Sequence, residues 1–321
     1  MPELRVPATG RVIPPAAILL CAIVAAELPA REIYVNNAAG DDRATGQYTQ
    51  STAEMTGPVR TIGRALRLAR GGDQIVLANT AEPYRECIAL FGSRHSGSPL
   101  GPFILRGNGA TLDGSDPVPP DAWERHDGAV FRFRPADLGP QQLFLDGRPA
   151  SRVVPAPSAD RPPKLEPLEW CALGGAIYFR VEKAKLPKDY DLRYARRQTG
   201  ITLYHVSQVA IVDLVVQGFR LDGIHAAAGA RGVLLNGVTA RGNARAGVVV
   251  GGTSDVELLG CVLGHNAQAQ LLTLPLSRTR IRESRLLSDL APGWVDQGGQ
   301  VWLDEKPIEG GRERIDLEAS P

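Results

Sequence analysis

Two stretches of the sequence repeat each other: Gly232-Val-Leu-Leu-Asn-Gly-Val-Thr-Ala-Arg-Gly-Asn243 and Asp255-Val-Glu-Leu-Leu-Gly-Cys-Val-Leu-Gly-His-Asn266. The shift from Asn243 to Asn266 is 23 residues. The same shift continues downstream to Thr279, Ile281 and Leu286. A period of this length is typical of repeat proteins, in which each short unit buries its apolar face against the next. The sequence therefore predicts an all-β stack of coils from Ile201 to Leu287.

Each predicted coil contains two or three short strands separated by Gly or Asn turns. Neighbouring coils would hydrogen-bond along their length at a strand spacing of about 4.8 Å. Asn243 and Asn266 fall on equivalent turns, so we expect their side-chain amides to pair from one coil to the next. Two inward-facing columns of core residues are also expected: Ile224, Val248 and Leu271, and Ala226, Val250 and Thr273.

The beginning of the chain has a different pattern. Apolar residues recur at helical spacing within Thr61–Arg70, and Gly71-Gly72 ends the pattern. A short strand is predicted before this helix at Arg31–Asn37, and another after it at Asp73–Ala78. Pro83-Tyr84-Arg85-Glu86 follows.

This order of strand, polar loop, helix, Gly-Gly-Asp and strand resembles the opening of the pectin-lyase-like family of right-handed parallel β-helix proteins. The resemblance implies that the helix caps the open end of the coil stack, where strand edges need cover. Pro102–Asp113 resembles a further early coil of the family. Gln142–Arg148 and Ala176–Val181 resemble an insertion found in β-helix proteins associated with glycan processing, where a small β unit interrupts the coils.

The first thirty residues have the features of an export signal. Arg5 and Arg11 precede an apolar run, Ala16–Ala26, and small residues suited to cleavage follow. This run is shorter than the roughly 20 residues that span a membrane, although an uncleaved anchor stays open. The predicted organisation is a signal peptide (1–30), an N-terminal cap with the first coils (31–114), an inserted small β subdomain (115–198), further coils (199–290) and a C-terminal tail or lid (291–321).

Charge and cysteine content narrow the function classes. Thirty-six basic residues against 35 acidic ones give a net charge of +1, so neither a nucleic acid nor an anionic membrane is indicated as a partner. After the signal, Cys87, Cys171 and Cys261 lack metal-ligand spacing. We expect them to be buried thiols, and whether one pair is bridged stays open.

The candidate catalytic cluster lies within Arg220-Leu-Asp-Gly-Ile-His225. Asp222 and His225 are three residues apart around a glycine turn, and we expect them to share a groove with Arg220. Arg241 and His265, on the corresponding turns of the next two coils, are candidate substrate-binding residues. The structural alternative is an aspartate that caps local backbone amides beside a surface histidine.

Aromatic and apolar residues suggest where a ligand could be enclosed. Trp294 and Trp302 are candidates for stacking on sugar rings, with packing in a lid as the alternative. Val249 and Leu272 are expected to face outward beside His225, so we expect the insertion or the tail to cover that sheet.

An arginine-rich strand, Arg278–Arg285, has two interpretations. It could bind a polyanion, but the repeat places Asp255 beside Arg278 and Glu257 beside Arg280. Opposite charges on adjacent strands stabilise a sheet by a few tenths to about 1 kcal/mol per pair. We therefore expect ion pairs between coils.

The family resemblance implies a carbohydrate-active protein. Its lyases use Lys or Arg as a base, often with calcium held by acidic residues, and its hydrolases use two carboxylates. Gly264-His265-Asn266 matches the Gly-His-Gly of the polygalacturonase branch poorly. We expect a monomer, secreted, periplasmic or on the cell surface, that binds an extracellular polysaccharide. Lyase or hydrolase activity, a calcium cofactor and a non-catalytic binding or structural role all stay open.

Overall fold

The computed structural model describes residues 30–51, 55–137 and 139–308. The predicted signal peptide lies outside the described residues except for Ala30, as does the end of the predicted tail after Ile308. None of the helices in the described ranges is long and apolar enough to cross a membrane.

The first part of the chain forms one helix and five strands. In chain order they are β1 (Glu32–Val35), α1 (Ile62–Leu68), β2 (Gln74–Leu77), β3 (Ile88–Phe91), β4 (Phe103–Arg106) and β5 (Thr111–Asp113). The predicted helix is thus confirmed. Thr61 caps it by accepting a hydrogen bond from the Arg64 amide, and the Glu86 carboxylate accepts from the Ile62 and Gly63 amides at 2.8 Å each.

Eight antiparallel strands follow, which we call the antiparallel unit (residues 115–195). They are β6 (Ser115–Pro117), β7 (Trp123–Asp127), β8 (Val130–Phe133), β9 (Leu143–Leu145), β10 (Arg148–Pro149), β11 (Trp170–Leu173), β12 (Ala176–Arg180) and β13 (Leu192–Ala195), with 3-10 turns at Pro120–Ala122 and Pro187–Asp189. They form two sheets, ordered β10-β9-β13-β6 and β11-β12-β8-β7. Trp170 and Phe179 are fully buried in its core.

The remaining strands are short and evenly spaced. They are β14 (Ile201–Tyr204), β15 (Ser207–Val212), β16 (Val215–Gln217), β17 (Ile224–Ala228), β18 (Arg231–Asn236), β19 (Thr239–Arg241), β20 (Ala246–Val250), β21 (Asp255–Leu259), β22 (Val262–Gly264), β23 (Ala269–Thr273), β24 (Arg278–Arg282), β25 (Arg285–Leu286), β26 (Trp294–Asp296), β27 (Gln300–Leu303) and β28 (Lys306–Ile308).

Three sheets collect these strands in rotation. Sheet 1 has the order β1-β2-β4-β15-β18-β21-β24-β27-β28, sheet 2 the order β26-β23-β20-β17-β14-β3, and sheet 3 the order β25-β22-β19-β16-β5. From β14 to β25 the chain visits sheets 2, 1 and 3 four times in succession. Apart from the antiparallel β27–β28 hairpin, the strands pair in parallel. The nearly all-β architecture with parallel sheets is thereby confirmed.

The antiparallel unit lies between strands that are neighbours in all three sheets. β3 pairs with β14, β4 with β15, and β5 with β16. The chain therefore leaves the parallel sheets after β5 and resumes them at β14. The unit also packs on them: a Cβ built on Gly242 would lie 2.8 Å from both Phe144 and Pro149.

The predicted inward columns are observed. The register places Ile224, Val248 and Leu271 side by side, and Ala226, Val250 and Thr273 two positions further on. The aliphatic members belong to one continuous cluster of buried residues. Repeated burial of the same positions explains why no coil needs a core of its own.

Charged residues on sheet 1 pair between coils, but along a diagonal. Asp255 lies opposite Arg278 and Glu257 opposite Arg280, as predicted. The ion pairs, however, join Arg280 to Asp255, at 3.0 Å, and Arg282 to Glu257. Diagonal neighbours lie within reach of long side chains on a sheet, which explains the difference.

The three cysteines are free. Cys171 and Cys261 are buried as expected, and burial raises the pKa of each thiol to about 11. The expectation was wrong for Cys87, which is exposed because it precedes β3 outside the core.

Candidate functional site

Asp222 lies in the turn between β16 and β17 and is fully buried. Arg245, in the equivalent turn of the next coil, holds both carboxylate oxygens: its Nε donates to Oδ1 at 2.7 Å, and its Nη2 donates to Oδ2. This contact raises the pKa of the Arg245 guanidinium. A carboxylate occupied in this way is suited to fixing adjacent coils to each other.

His225 occupies the first outward position of β17. Its Nδ1 atom is 3.6 Å from Asp222 Oδ2, too long for a hydrogen bond, and 26% of its side chain is exposed. Burial lowers the pKa of His225, against the opposing effect of Asp222. The imidazole is therefore neutral at neutral pH and could accept a proton from a ligand.

Arg220 does not join this pair. Its Nη1 atom lies 3.8 Å from Asp137 of the antiparallel unit. Arg220 therefore lies apart from Asp222 and His225. Its carboxylate partner, Asp137, belongs to a loop that the sequence analysis did not place near Arg220. The Asp222 carboxylate bonds the Arg245 side chain of the next coil rather than the local backbone amides that the structural alternative expects.

Arg241 and His265 have separate partners. Arg241 Nε donates to Gln217 Oε1 at 2.9 Å, and burial, together with the nearby Arg148, lowers the pKa of Arg241. His265 Nδ1 is 2.7 Å from Asp289, whose carboxylate also accepts from the His265 amide. Arg241 ends β19 and His265 directly follows β22 on the next coil, and each is held by its own neighbour.

The two tryptophans differ. Trp294 is only 3% exposed, it stands beside Leu271 in an inward column of sheet 2, and its indole nitrogen donates to Thr273 Oγ1 at 2.9 Å. Its ring has no face free for a sugar, so it belongs to the core. Trp302 is half-buried on sheet 1, where the Arg280 guanidinium lies 6.0 Å from the ring centroid.

An exposed aromatic pair on sheet 2 was not foreseen. Phe91 and Tyr204 end the paired strands β3 and β14, are 52% and 44% exposed, and have ring centroids 6.5 Å apart. His205 meets Tyr204 edge-on at 5.6 Å. The signal was available in the matching strands Ile88-Ala-Leu-Phe91 and Ile201-Thr-Leu-Tyr204, which lie on either side of the antiparallel unit.

The outer face of sheet 2 is polar at the end near β3 and apolar toward β26. One row runs across adjacent strands through Thr202, His225, Val249, Leu272 and Val295. Phe91 and Tyr204 flank its polar end, whereas Val249 and Leu272 are buried in a small apolar cluster at the other end. A ligand would therefore meet rings, a hydroxyl and an imidazole together at the end nearest β3.

Metal ligands do not cluster in the described part of the chain. Within residues 30–51, 55–137 and 139–308, no group of three or more His, Cys, Asp or Glu side chains could hold a metal ion. The calcium alternative stays open, with no residues assigned to it.

Comparison with known proteins gives a structural likeness only. No protein-family model matches the sequence, and no curated protein matches it. A structure described as a glycoside hydrolase is similar over 79% of this chain and 73% of its own, with a TM-score of 0.56 and 12% identity. XylC in complex with xylose covers 85% of this chain and 69% of its own at a TM-score of 0.42 and 12% identity. Pectate lyase Pel9A is similar over 80% of this chain and 54% of its own, with a TM-score of 0.41 and 12% identity.

The likeness to the glycoside hydrolase defines a class of fold: this chain shares a parallel-sheet architecture that a carbohydrate-active enzyme also uses. At 12% identity the likeness does not carry over an activity or a substrate.

Proposed function

We propose that this protein is an exported right-handed parallel β-helix, with residues 115–198 as an inserted subdomain, that binds an extracellular polysaccharide on the outer face of sheet 2. The single observation that carries the binding proposal is the exposed Phe91–Tyr204 pair beside the Thr202–His225 row.

Exposed aromatic rings are well suited to sugars, because their apolar faces pack against the C–H faces of a pyranose and leave the hydroxyls free. Phe91 and Tyr204 stand on adjacent strands, so their rings follow one another along the stack. Thr202 and His225 are also on adjacent strands and supply a hydroxyl and an imidazole for the sugar hydroxyls. A polysaccharide aligned with the stack of coils could contact the two aromatic rings and the two polar side chains together.

Cleavage is a second candidate, and His225 is the observation that favours it. A neutral, partly exposed imidazole beside a guanidinium could remove a proton from a bound sugar. Asp222 is not suited to the acid or base role, since it is fully buried and both of its oxygens bond Arg245.

The binding experiment is calorimetric titration of the mature protein with a panel of neutral and acidic oligosaccharides. We expect Phe91→Ala and Tyr204→Ala to weaken binding about tenfold each through loss of ring contact. Tyr48→Ala is the matched control, because Tyr48 is equally exposed but lies in the N-terminal loop. Wild-type affinity in Tyr204→Ala, or no binding by the wild type, would overturn the proposal.

The second candidate is tested by assays for reducing ends and for unsaturated products, with and without added calcium. Products formed by the wild type and by His126→Ala, but not by His225→Ala, would establish cleavage at this face. Bound polysaccharide with no product from the wild type would establish a binding protein without activity.

A further inference from the structure

Three arginine side chains converge on one backbone oxygen where the antiparallel unit joins the parallel sheets. The Ser115 carbonyl accepts from Arg85 Nη1 at 3.1 Å, from Arg193 Nη2 at 3.1 Å and from Arg197 Nη1 at 3.5 Å. Arg193 Nε also donates to Ser115 Oγ at 3.1 Å. A single carbonyl offers only two lone pairs, so three cationic groups share one weak acceptor.

A polar column on sheet 3 extends this cluster. Asp113, Gln217 and Arg241 end the paired strands β5, β16 and β19. Arg241 bonds the Gln217 side chain, whose amide nitrogen is 3.5 Å from Asp113 Oδ2, and Arg85 Nη1 is also 3.5 Å from Asp113 Oδ2. We call the surroundings of Ser115 and this column the junction, and its members are Arg85, Asp113, Ser115, Asp116, Arg148, Arg193, Arg196, Arg197, Gln217 and Arg241.

Positive charge exceeds negative charge at the junction. Asp116 forms ion pairs with Arg196 and Arg197, at 3.4 Å and 2.7 Å. Asp113 is then the carboxylate that faces the remaining arginines of the junction. Asp191 contributes a weaker opposing field at Arg193. Partly buried cations lose some of their hydration, so an excess of them over nearby carboxylates favours the binding of an anion.

The arginines also repel one another. Burial and the charge of Arg85 lower the pKa of Arg193, just as burial and Arg148 lower that of Arg241. The side chains of Arg85 and Arg197 are 29% and 28% exposed, which leaves the cluster within reach of a solute.

Gln142 is a second, independent sign of an unfilled polar site. It is fully buried next to β9, and neither its side-chain oxygen nor its nitrogen has a hydrogen-bond partner among the described residues. Its carbonyl accepts from the Ala195 amide, and Ala195 pairs with Ser115 across the same sheet. Gln142 also shares a strand face with Phe144, the residue that packs on Gly242 of the coils.

We propose that the junction is a binding site for an acidic saccharide, whose carboxylate or sulfate group is held by Arg85, Arg193 and Arg241. Guanidinium groups bind such planar or tetrahedral oxyanions through paired, charge-assisted hydrogen bonds. The site lies where the strands of sheet 3 end, and it uses none of the residues proposed to bind on the outer face of sheet 2. It therefore goes beyond the proposed function and can be tested apart from it.

The test is thermal unfolding and calorimetric titration of the mature protein with sodium glucuronate, sodium sulfate and glucose. Sodium chloride at equal ionic strength is the reference. We expect glucuronate or sulfate to raise Tm above the chloride reference, and to raise it more in the wild type than in the junction variants, because these oxyanions form paired hydrogen bonds with guanidinium groups. Glucose should leave Tm unchanged, and a shift that the junction variants keep is the general effect of the salt. The tighter of the two calorimetric affinities identifies a carboxylate or a sulfate as the preferred group.

Arg193→Gln and Arg85→Gln are expected to weaken anion binding about tenfold each. Arg148→Gln removes an exposed charge beside Arg241 and tests the same site without disturbing the Ser115 contacts. Arg278→Gln, at an exposed arginine on sheet 1, is the matched control and should bind as the wild type does.

A shift no larger than that with chloride, or equal shifts in the wild type and the three junction variants, would overturn this proposal. Tyr204→Ala separates it from the proposed function: that variant should bind polysaccharide at sheet 2 about tenfold more weakly and keep the anion response.

Discussion

The side-chain amide of Asn243 donates a hydrogen bond to the side-chain oxygen of Asn266, 3.0 Å away on the next coil. The ladder continues in both directions, since the Phe219 amide donates to Asn243 Oδ1 at 3.1 Å and Asn266 Nδ2 donates to Gln270 Oε1 at 2.7 Å. Both asparagines are fully buried. Each therefore satisfies backbone or amide groups that water cannot reach, and together they fix the register of successive turns.

Replacing Asn266 with alanine should lower the free energy of unfolding by about 2–4 kcal/mol, because the Asn243 amide and the Ala240 carbonyl would lose their partner in the interior. Urea unfolding followed by circular dichroism measures the change. Asn236→Ala, on the outer face of sheet 1, is the matched control and should change stability by less than about 0.5 kcal/mol. A similar loss in both variants would contradict a special role for the ladder.

Asp222 and Arg245 should behave as a structural ion pair. Asp222→Leu alone should destabilise the fold by roughly 2–3 kcal/mol, since it leaves Arg245 half-buried without its carboxylate. The double variant Asp222→Leu/Arg245→Met should be less destabilised than the sum of the two single variants. Additive effects in this double-mutant cycle, measured by chemical denaturation, would show that the pair is not coupled.

His95 should make stability depend on pH. Its Nδ1 accepts from the Phe91 amide at 3.0 Å and its Nε2 faces the Leu66 carbonyl at 3.0 Å, an arrangement that needs the neutral ring. Burial lowers the pKa of His95 below 6.5, so the unfolded chain binds this proton more readily than the folded one. Stability should therefore fall as the pH drops below about 6.5.

His225, whose pKa is also lowered, adds to the same fall. The measurement is the free energy of unfolding at about pH 7.5 and about pH 5.5, one value above and one below the ordinary pKa of histidine. His95→Gln should show a smaller loss between the two than the wild type, whereas His126→Gln should match the wild type. An unchanged loss in His95→Gln would exclude this histidine as a cause.

The ion pairs on sheet 1 should contribute little. Glu257→Gln, which breaks the contact with Arg282, should cost less than about 1 kcal/mol because both side chains are partly exposed. The difference between variant and wild type should shrink further in about 0.5 M salt, where exposed charges are screened. A larger cost that salt does not reduce would mean that the contact is more than a surface pair.

Some of the site could have been predicted and some could not. The Phe91–Tyr204 pair was encoded in two similar strands, and a comparison across the antiparallel unit would have found it. The partner of Arg220 could not be read from the repeat, because Asp137 belongs to a loop without any period. Trp294 was predicted to stack on sugars or pack in a lid, although the 23-residue shift from Leu271 already places it in an inward column.

The sequence by itself determined the parallel strands, their register and the Asn243–Asn266 contact. Successive coils place equivalent residues on adjacent strands, so residues one period apart in the sequence are neighbours in the structure. The tertiary structure alone decided the diagonal ion pairs of sheet 1 and the gathering of arginines at Ser115. Arg193 is 78 residues from Ser115 in the chain, and the antiparallel pairing of β13 with β6 brings the two together. Contacts made by such long-range pairing have no period, and side-chain reach, rather than position in a repeat, selects their partners.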